Sequence, residues 1–370
     1  MTRRRVVIAG LGDSGLLTAI HLSGHADVVG ISSRPGLVSG QELGIRLTRP
    51  HDWIRDYWIS FDRYRRLDPV RTVHGTLTGV DLADRRVRVT IADGTTVEEP
   101  YDVLVIATGV TNGFWRRPGL FSSDEVAADL GAAHSQLADA DSVAVIGGGA
   151  AAVSSAINLA TTWPEKHVNL YFPGERALPQ HHPKVWSTLR NRLTGLGVGV
   201  HPGHRAVVPN GFECDRITED EIAWSTRQDP VSADAVLWTI GRVRPNTEWL
   251  PDSLLNEHGF VDVEPSLRVP GHPGVFAIGD VAATDQLRTS ARNRADNLLA
   301  HNIRAELKGK PLRDYRPRDR RWGSVTGYQR NGLEVFAPNG RAYRFPAWTI
   351  PGLMRRLIIR RGIYRGVRDS

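Results

Sequence analysis

Two glycine-rich segments of this sequence each follow a short apolar run. Residues 10–15 are Gly-Leu-Gly-Asp-Ser-Gly and come directly after the apolar residues 6–9. In such a loop the first glycine permits a tight turn, the second lets the backbone approach a pyrophosphate, and the third lets helix and strand pack closely. The pattern indicates Gly10, Gly12 and Gly15 as cofactor-binding residues. The alternative is a bare turn after a strand, which uses the same glycines.

The second segment repeats the design more than a hundred residues later. Residues 147–152 are Gly-Gly-Gly-Ala-Ala-Ala and follow the apolar run 143–146. This GxGxxA form makes Gly147, Gly149 and Ala152 candidates for a second nucleotide site, at the N-terminus of a helix that attracts phosphates. Two dinucleotide loops imply two dinucleotides, and the chemistry that needs both is hydride transfer from a nicotinamide to a flavin.

A dinucleotide fold usually has an acidic residue about 20 residues after the loop, where it binds a ribose hydroxyl. The first unit has Ser32, Ser33 and Arg34 at that place instead. A serine there can bond the ribose and Arg34 can bind phosphate, or the segment is simply a turn, and both interpretations stay open.

The second unit has Glu175 and Arg176 beyond the end of its second strand. Glu175 can bond a ribose diol, whereas Arg176 can face a 2′-phosphate and favour NADPH. The choice between NADH and NADPH therefore stays open.

Two further apolar runs end in residues suited to a ligand. Residues 103–106 lead into Ala107, Thr108 and Gly109, and residues 275–278 lead into Gly279 and Asp280. A carboxylate at the end of a buried strand is costly unless it bonds a ligand or a helix N-terminus. Asp280 is therefore a candidate ligand-binding residue, with an N-cap of the next segment as the structural alternative.

Strand and helix patterns around these loops indicate an α/β fold with two Rossmann-like units. Each loop opens a strand–turn–helix–strand unit, over residues 6–31 and 143–171, and residues 87–98 alternate as a hairpin with an Asp-Gly turn. With 370 residues, 41% of them hydrophobic and 24% charged, the chain has an ordinary globular composition, which excludes disorder as its main state.

The net charge of +7 belongs to the end of the chain. Residues 313–370 hold fourteen arginines against four acidic residues, so the body carries no nucleic-acid signal and we expect no nucleic-acid partner. Apolar residues and arginines alternate near helical spacing over residues 350–365. Such a helix can lie on an anionic membrane surface or pack its apolar face on the body, and both remain open.

Only one cysteine, Cys214, is present, so no redox-active cysteine pair can form within the chain. Its acidic neighbours should raise the thiol pKa and make it unreactive. No apolar run reaches the roughly 18 residues that span a bilayer. We expect a reducing, cytoplasmic location, with peripheral contact at the inner membrane face as the alternative, and no metal site.

Five motifs in order resemble the two-dinucleotide-domain flavoproteins, the pyridine nucleotide-disulfide oxidoreductase superfamily. They are residues 10–15, 107–109, 147–152, 239–247 and 275–280. Within it the chain is most similar to the branch of ferroptosis suppressor protein and apoptosis-inducing-factor-like oxidoreductases, and less so to type II NADH dehydrogenases.

The resemblance implies that the first loop and Asp280 hold FAD and that the second loop holds NADH or NADPH. Thr289 should lie near the flavin ring, and Arg49, Leu77 and Gly241 join the expected cofactor-binding residues. NAD(P)H would reduce FAD, which would then reduce a quinone or another small acceptor. Relatives carry a glutamate at the position of Ser154, which is associated with nicotinamide positioning in quinone-reducing members. No residue is assigned to catalysis.

The resemblance also implies a discontinuous architecture. Residues 1–113 and 243–312 should form the FAD-binding domain, residues 114–242 the inserted NAD(P)H-binding domain, and residues 313–370 a small basic C-terminal α+β region. Two other functions remain open: a reductase for a ferredoxin-type protein and a non-catalytic nucleotide-binding sensor. A homodimer is also open, and so is a place for Trp322 near the flavin.

Overall fold

The computed structural model describes residues 3–38, 43–111, 119–240, 243–284, 295–317 and 322–368. Its strands are β1 (Arg5–Ala9), β2 (Asp27–Ser32), β3 (Gly36–Val38), β4 (Trp58–Ser60), β5 (Arg71–Asp81), β6 (Arg86–Ile91), β7 (Thr96–Pro100), β8 (Val103–Ile106), β9 (Val110–Thr111), β10 (Ser142–Ile146), β11 (His167–Phe172), β12 (Gly199–Pro202), β13 (Ala235–Trp238), β14 (Arg244–Pro245), β15 (Val275–Ala277), β16 (Tyr328–Gln329), β17 (Gly332–Phe336) and β18 (Ala342–Pro346). Its α-helices are α1 (Asp13–Leu22), α2 (Leu43–Thr48), α3 (Pro50–Tyr57), α4 (Ser123–Asp139), α5 (Ala150–Thr162), α6 (Pro183–Gly195) and α7 (Ala295–Glu306). A π-helix, called the tail helix below, spans Ile350–Ile363.

The first sheet has seven strands in the order β15-β8-β1-β2-β5-β6-β7. The five strands from β15 to β5 are parallel, and β6 and β7 continue as an antiparallel hairpin. Strand β1 is apolar from Val6 to Ala9 because both faces of the sheet are covered there. Val6 and Ile8 pack with α1 and α7, whereas Val7 and Ala9 pack on the opposite face.

The second sheet has four parallel strands in the order β12-β11-β10-β13. Val143 and Val145 of its central strand pack with α5 and α6 on one face. Ala144 and Ile146 face a separate cluster that contains Trp224. This alternation at β10 gives the sheet two covered faces, as the apolar run predicts.

A short antiparallel pair, β9 with β14, joins the two sheets, with Val110 opposite Pro245. The chain leaves the first sheet after β8, forms the second sheet, and returns to place β15 beside β8. The predicted α/β fold with two Rossmann-like domains, one inserted in the other, is therefore confirmed. The domain boundaries at 113, 242 and 312 stay predictions.

The C-terminal region is α+β, as predicted. Strands β16, β17 and β18 form an antiparallel sheet, whose Phe336 joins the core of the second sheet. The tail helix then returns to the first domain, where the Tyr364 ring lies 5.2 Å from that of Tyr64. The apolar spacing predicted an ordinary helix, but a π-helix forms. Gly352, near its start, has low α-helical propensity, which weakens the α-helical alternative.

None of the helices in the described parts of the chain has the length and apolar character needed to cross a membrane.

Candidate functional site

The first glycine loop joins β1 to α1, and two of its glycines leave no space for a side chain. Gly10 has φ +106°, and a Cβ there would lie 2.4 Å from the carbonyl oxygen of Ala107. A Cβ at Gly15 would lie 1.9 Å from the oxygen of Gly10, so the helix contacts the strand end through bare backbone. Gly12, by contrast, precedes the helix in extended conformation, with no atom of the described chain within 4 Å of its Cβ position. Gly10 and Gly15 are thus packed against backbone, whereas Gly12 at the N-terminus of α1 has open space. This arrangement is suited to binding a pyrophosphate.

The end of β15 lies directly beside this loop. Gly279 has φ +82°, and a Cβ there would lie 3.1 Å from the hydroxyl of Ser14 in the first turn of α1. Asp280 is half-buried in the 3₁₀ turn that follows, whose N-cap position is taken by Ile278. Asp280 lies inside this turn and not at its N-cap, and its role as a ligand-binding acid stays a prediction.

A reciprocal hydrogen-bond pair fixes the end of β8. Thr108 Oγ1 donates to the carbonyl oxygen of Asn246 at 2.7 Å, and Asn246 Nδ2 donates to the carbonyl oxygen of Thr108 at 3.0 Å. Next to it, Gly109 has φ +68° and open space at its Cβ position. Sequence reasoning included Asn246 in a motif but did not assign it a role. Its contact spans 138 residues, and no local pattern indicates such a pairing.

At the end of β2, the serines that replace the usual acid form a hydrogen-bonded turn. The backbone N–H of Arg34 donates to Ser32 Oγ at 3.2 Å, and the N–H of Phe121 donates to the carbonyl oxygen of Ser33 at 3.0 Å. The Arg34 guanidinium carbon lies 5.4 Å from the centre of the Phe121 ring. His74, which pairs with Ser32 in β5, places Nε2 3.2 Å from the same Ser33 oxygen. The segment thus has the structure of a turn, and a ribose contact by Ser32 or Ser33 stays a prediction.

The second glycine loop has the same construction as the first. Gly147 has φ +140°, and a Cβ there would lie 2.3 Å from Thr239 Oγ1. Ala152 is completely buried on α5. Gly149 is extended at the N-cap of α5, with no atom of the described chain within 4 Å of its Cβ position. Both loops therefore lie at the carboxyl ends of parallel strands. In each, the first glycine is tightly packed and the glycine at the helix N-cap has open space.

Glu175 and Arg176 follow β11 at the edge of this second loop, and only one of them is held by the protein. Arg176 donates to the carbonyl oxygens of Pro179 at 3.0 Å and His181 at 3.2 Å. Burial and the nearby Arg176 charge lower the pKa of His181. The Glu175 side chain is exposed, and it is the carboxylate closest in sequence to the strand end.

Arg49 and Ser154 come together at the contact between the two domains. Arg49 Nη2 donates to Tyr328 O at 2.8 Å and approaches Asn158 Oδ1 at 3.4 Å. Asn158 Nδ2 in turn donates to the backbone oxygen of Ser154 at 2.8 Å. Ser154 is buried against Gly44 of α2, where a Cβ would lie 2.5 Å from the Ser154 oxygen. The atom that faces Gly44 is the backbone oxygen of Ser154, so α2 and α5 approach each other here through their backbones.

Of three other predicted residues, Leu77 is not brought to the loops and the other two lie outside the described residues. Leu77 lies opposite Val89 in the β5–β6 hairpin, beyond the Ser32–His74 pair at which parallel pairing ends. Its side chain packs against the core of the first sheet. Gly241 and Thr289 lie outside the described residues. All three stay predictions.

The remaining sequence candidates lie elsewhere. Trp322 is exposed and its ring lies 5.2 Å from that of Tyr343 on the C-terminal sheet. Cys214 is buried, and burial together with the Asp215 and Glu213 charges raises its thiol pKa to about 11. The predicted inertness of this thiol agrees with that environment.

An acidic cleft of about 740 Å³ lies at the far end of the second sheet. It is lined by Asp139, Asp141, Glu219 and Asp234 among others, next to the first residues of β10 and β13. Dinucleotides bind at the carboxyl ends of parallel strands, so this cleft is not a candidate dinucleotide site.

Comparison with known proteins agrees with this geometry. The chain is 27% identical over 300 residues to oxidoreductase ptaL of Pestalotiopsis fici, covering 79% of this chain and 75% of that protein. It is 26% identical over 328 residues to ferroptosis suppressor protein 1 of Xenopus tropicalis, covering 85% and 83%.

Among solved structures, the ferredoxin reductase for the CYP199A2 system of Rhodopseudomonas palustris has the same fold. It superposes with a TM-score of 0.65 at 18% identity, covering 92% of this chain and 88% of that one. Residues 4–297 match the family described as pyridine nucleotide-disulphide oxidoreductase, whose members use FAD and NAD(P)H. The chain belongs to the pyridine nucleotide-disulphide oxidoreductase family, and it is an NAD(P)H-linked oxidoreductase.

Proposed function

We propose that this oxidoreductase takes reducing equivalents from NADH through FAD to a small lipophilic acceptor of the quinone class, without a redox-active disulfide. The observation that carries the proposal is the pair of glycine loops with open space at Gly12 and Gly149. They lie on two sheets that the β9–β14 pair joins. Because a Cβ at Gly10 or Gly147 would strike backbone or side-chain atoms while Gly12 and Gly149 face open space, both loops fit a dinucleotide.

Each loop has a distinct task in this proposal. The first loop, with Gly279 and Asp280, would hold FAD, which when bound accepts hydride from a nicotinamide and passes electrons to an acceptor. The second loop would hold the nicotinamide dinucleotide at the N-terminus of α5. The protein binds and orients both groups, and a close approach of donor and acceptor is its main contribution to the rate.

NADH is the proposed donor because of the contacts at the end of β11. The Arg176 guanidinium already donates to Pro179 and His181, so it is not poised to bind a 2′-phosphate. Glu175 is exposed beside it, and a carboxylate at this place bonds a ribose diol and repels a 2′-phosphate.

A lipophilic acceptor is supported by the tail surface, which we define as Trp348, Leu357, Ile358, Arg356 and Arg361. Trp348 is 82% exposed, Leu357 48% and Ile358 43%. The tail helix contains arginines and no acidic residue, while Ile359, Ile363 and Tyr364 pack it onto the core of the first domain. Exposed apolar side chains flanked by cations are suited to an anionic lipid surface, where lipophilic quinones dissolve.

Acceptor profiling tests the proposal. Protein reduced anaerobically with NADH is mixed with a short-chain quinone or with a ferredoxin, and its reoxidation is followed by absorbance. The proposal expects rapid reoxidation by the quinone. Faster reoxidation by the ferredoxin would replace it with the protein-partner function, for which the basic tail is also suited.

Vesicle sedimentation tests the tail surface separately. Phosphatidylglycerol-containing vesicles should retain the wild-type chain and release a Leu357→Glu/Ile358→Glu variant. The matched control is Val207→Glu/Val208→Glu, another exposed pair, at 47% and 38%, located in the second domain. Equal retention of both variants would contradict a membrane-facing tail.

A further inference from the structure

Asn158 is a completely enclosed amide at the contact between the two dinucleotide domains. It lies on α5, nine residues after the N-cap glycine of the second loop, and is 1% exposed. Its Nδ2 donates to Ser154 O at 2.8 Å and Thr326 O at 3.2 Å, and its Oδ1 accepts from Gln329 Nε2 at 3.1 Å and lies 3.4 Å from Arg49 Nη2. These contacts use both donors and both acceptor positions of the amide.

The contacts of Asn158 join three separate parts of the chain. Arg49 lies between α2 and α3 in the first domain, Asn158 on α5 in the second, and Thr326 and Gln329 in the C-terminal region. Arg49 also donates to Tyr328 O at 2.8 Å, and Gln329 Nε2 donates to Thr326 O at 2.7 Å, so the network closes on itself. A shift of either domain would leave buried polar groups without partners, which is costly.

The backbones of α2 and α5 are in direct contact at the same place. A Cβ on Gly44 would lie 2.5 Å from Ser154 O and 2.8 Å from Asn158 Nδ2. Only a glycine therefore permits this approach, and the Asn158 amide lies directly beside it. The helix that carries the second loop is thereby fixed against the first domain.

We propose that Asn158 is a positioning residue that sets the separation of the two dinucleotide sites for hydride transfer. The inference rests on the proposed function, because it assumes that both dinucleotides bind. An interdomain error of about 1 Å is enough to slow a reaction that depends on close approach by about 100-fold, without changing the contacts that bind either dinucleotide.

The test compares Asn158→Leu with Asn302→Leu. Asn302 is equally buried and makes three comparable hydrogen bonds, to Ser266 and to both backbone groups of Arg313, but it lies away from the α2–α5 contact. Both variants should lose stability. At saturating NADH, Asn158→Leu should bleach bound flavin at least about tenfold more slowly, with the NADH dissociation constant within about twofold of wild type.

A second measurement does not depend on turnover. Hydrogen exchange of α2 amides in the cofactor-free protein should accelerate in Asn158→Leu and remain at the wild-type rate in Asn302→Leu. If Asn158→Leu does not fold, Gln329→Ala, which removes one donor to Asn158, should give the same effects at smaller size.

Two results would overturn the proposal: a wild-type bleaching rate in the Asn158 variant, or equal slowing by both asparagine variants. If NADH fails to bleach the wild-type protein, the proposed function fails instead. The exchange data then still decide whether Asn158 fixes the interdomain contact, and unchanged α2 exchange in its variant would refute that role.

Discussion

Thr108 and Asn246 each bond the other's backbone, Thr108 Oγ1 to Asn246 O at 2.7 Å and Asn246 Nδ2 to Thr108 O at 3.0 Å. Asn246 Oδ1 also accepts from Thr111 Oγ1 at 2.7 Å. These bonds tie the segment that leaves the first sheet to the segment that returns to it, beside the predicted FAD site. The Thr108–Asn246 pair thereby holds together the two chain segments that lead into and out of the inserted domain, next to the predicted FAD site.

Replacing Asn246 should loosen this connection. Asn246→Leu leaves Thr108 O and Thr111 Oγ1 without their partners, so we expect the free energy of unfolding to fall by about 1–3 kcal/mol. Asn339→Ala, at an exposed turn, is the control and should change it by less than about 0.5 kcal/mol. Urea titration measures both, and similar losses would show that the Thr108–Asn246 pair contributes little.

Substitutions in the two glycine loops should affect FAD binding and NADH binding separately. Gly12→Glu and Gly149→Glu each place a carboxylate in open space, so neither should disturb packing. Because the charge repels a pyrophosphate, Gly12→Glu should lose FAD. Gly149→Glu should stay yellow but bind NADH at least about tenfold more weakly, a loss of about 1.4 kcal/mol. Wild-type NADH affinity in Gly149→Glu, measured by titration, would refute the placement of NADH at the second loop.

Nucleotide preference should depend on Glu175. Glu175→Gln removes the charge that repels a 2′-phosphate, so the ratio of NADH to NADPH affinity should fall by up to about tenfold, equivalent to about 1.4 kcal/mol. Arg176→Gln should alter the ratio less, because its guanidinium donates to backbone within its own loop. If Arg176→Gln lost more affinity for NADPH than for NADH, Arg176 would be shown to bind the 2′-phosphate.

Stability should decrease on acidification partly through His181. Burial and then Arg176 lower its pKa in the folded state, so the unfolded chain binds more protons below about pH 6.5, where free histidine titrates. The contribution is complete above that pH and is lost as the pH falls through it. His181→Gln should therefore show a smaller loss of unfolding free energy between pH 7.5 and 5.5 than wild type. His258→Gln, at an exposed site, is the control, and an unchanged loss in His181→Gln would contradict the assignment.

Cys214 should play no part in electron transfer. With its pKa raised to about 11 by burial and by Asp215 and Glu213, the thiol is protonated at neutral pH and reacts slowly. Cys214→Ala should reduce its flavin at the wild-type rate, measured by stopped-flow absorbance. A slower reduction in this variant would restore a thiol to the mechanism.

The sequence was sufficient for features that local patterns determine. Glycines at fixed offsets after buried strands predicted both loops, because tight turns and close helix–strand approach require glycine there. The order of the paired loops, together with the family resemblance, predicted the inserted architecture.

What the sequence could not supply depends on contacts between distant segments. Asn158 and Asn246 are ordinary polar residues in sequence. Asn158 is bonded by Arg49, Thr326 and Gln329, and Asn246 by Thr108 and Thr111, all of which lie far away along the chain. The π-helical form of the tail was not predicted, since its apolar spacing is also compatible with an α-helix.

The most direct test of the central claim is the visible absorption of the purified protein under anaerobic conditions, before and after addition of NADH and of NADPH in separate cuvettes. The account predicts oxidised-flavin bands that NADH bleaches within seconds and NADPH bleaches more slowly. A colourless protein that does not take up added FAD, or flavin bands that neither nucleotide changes, would contradict it.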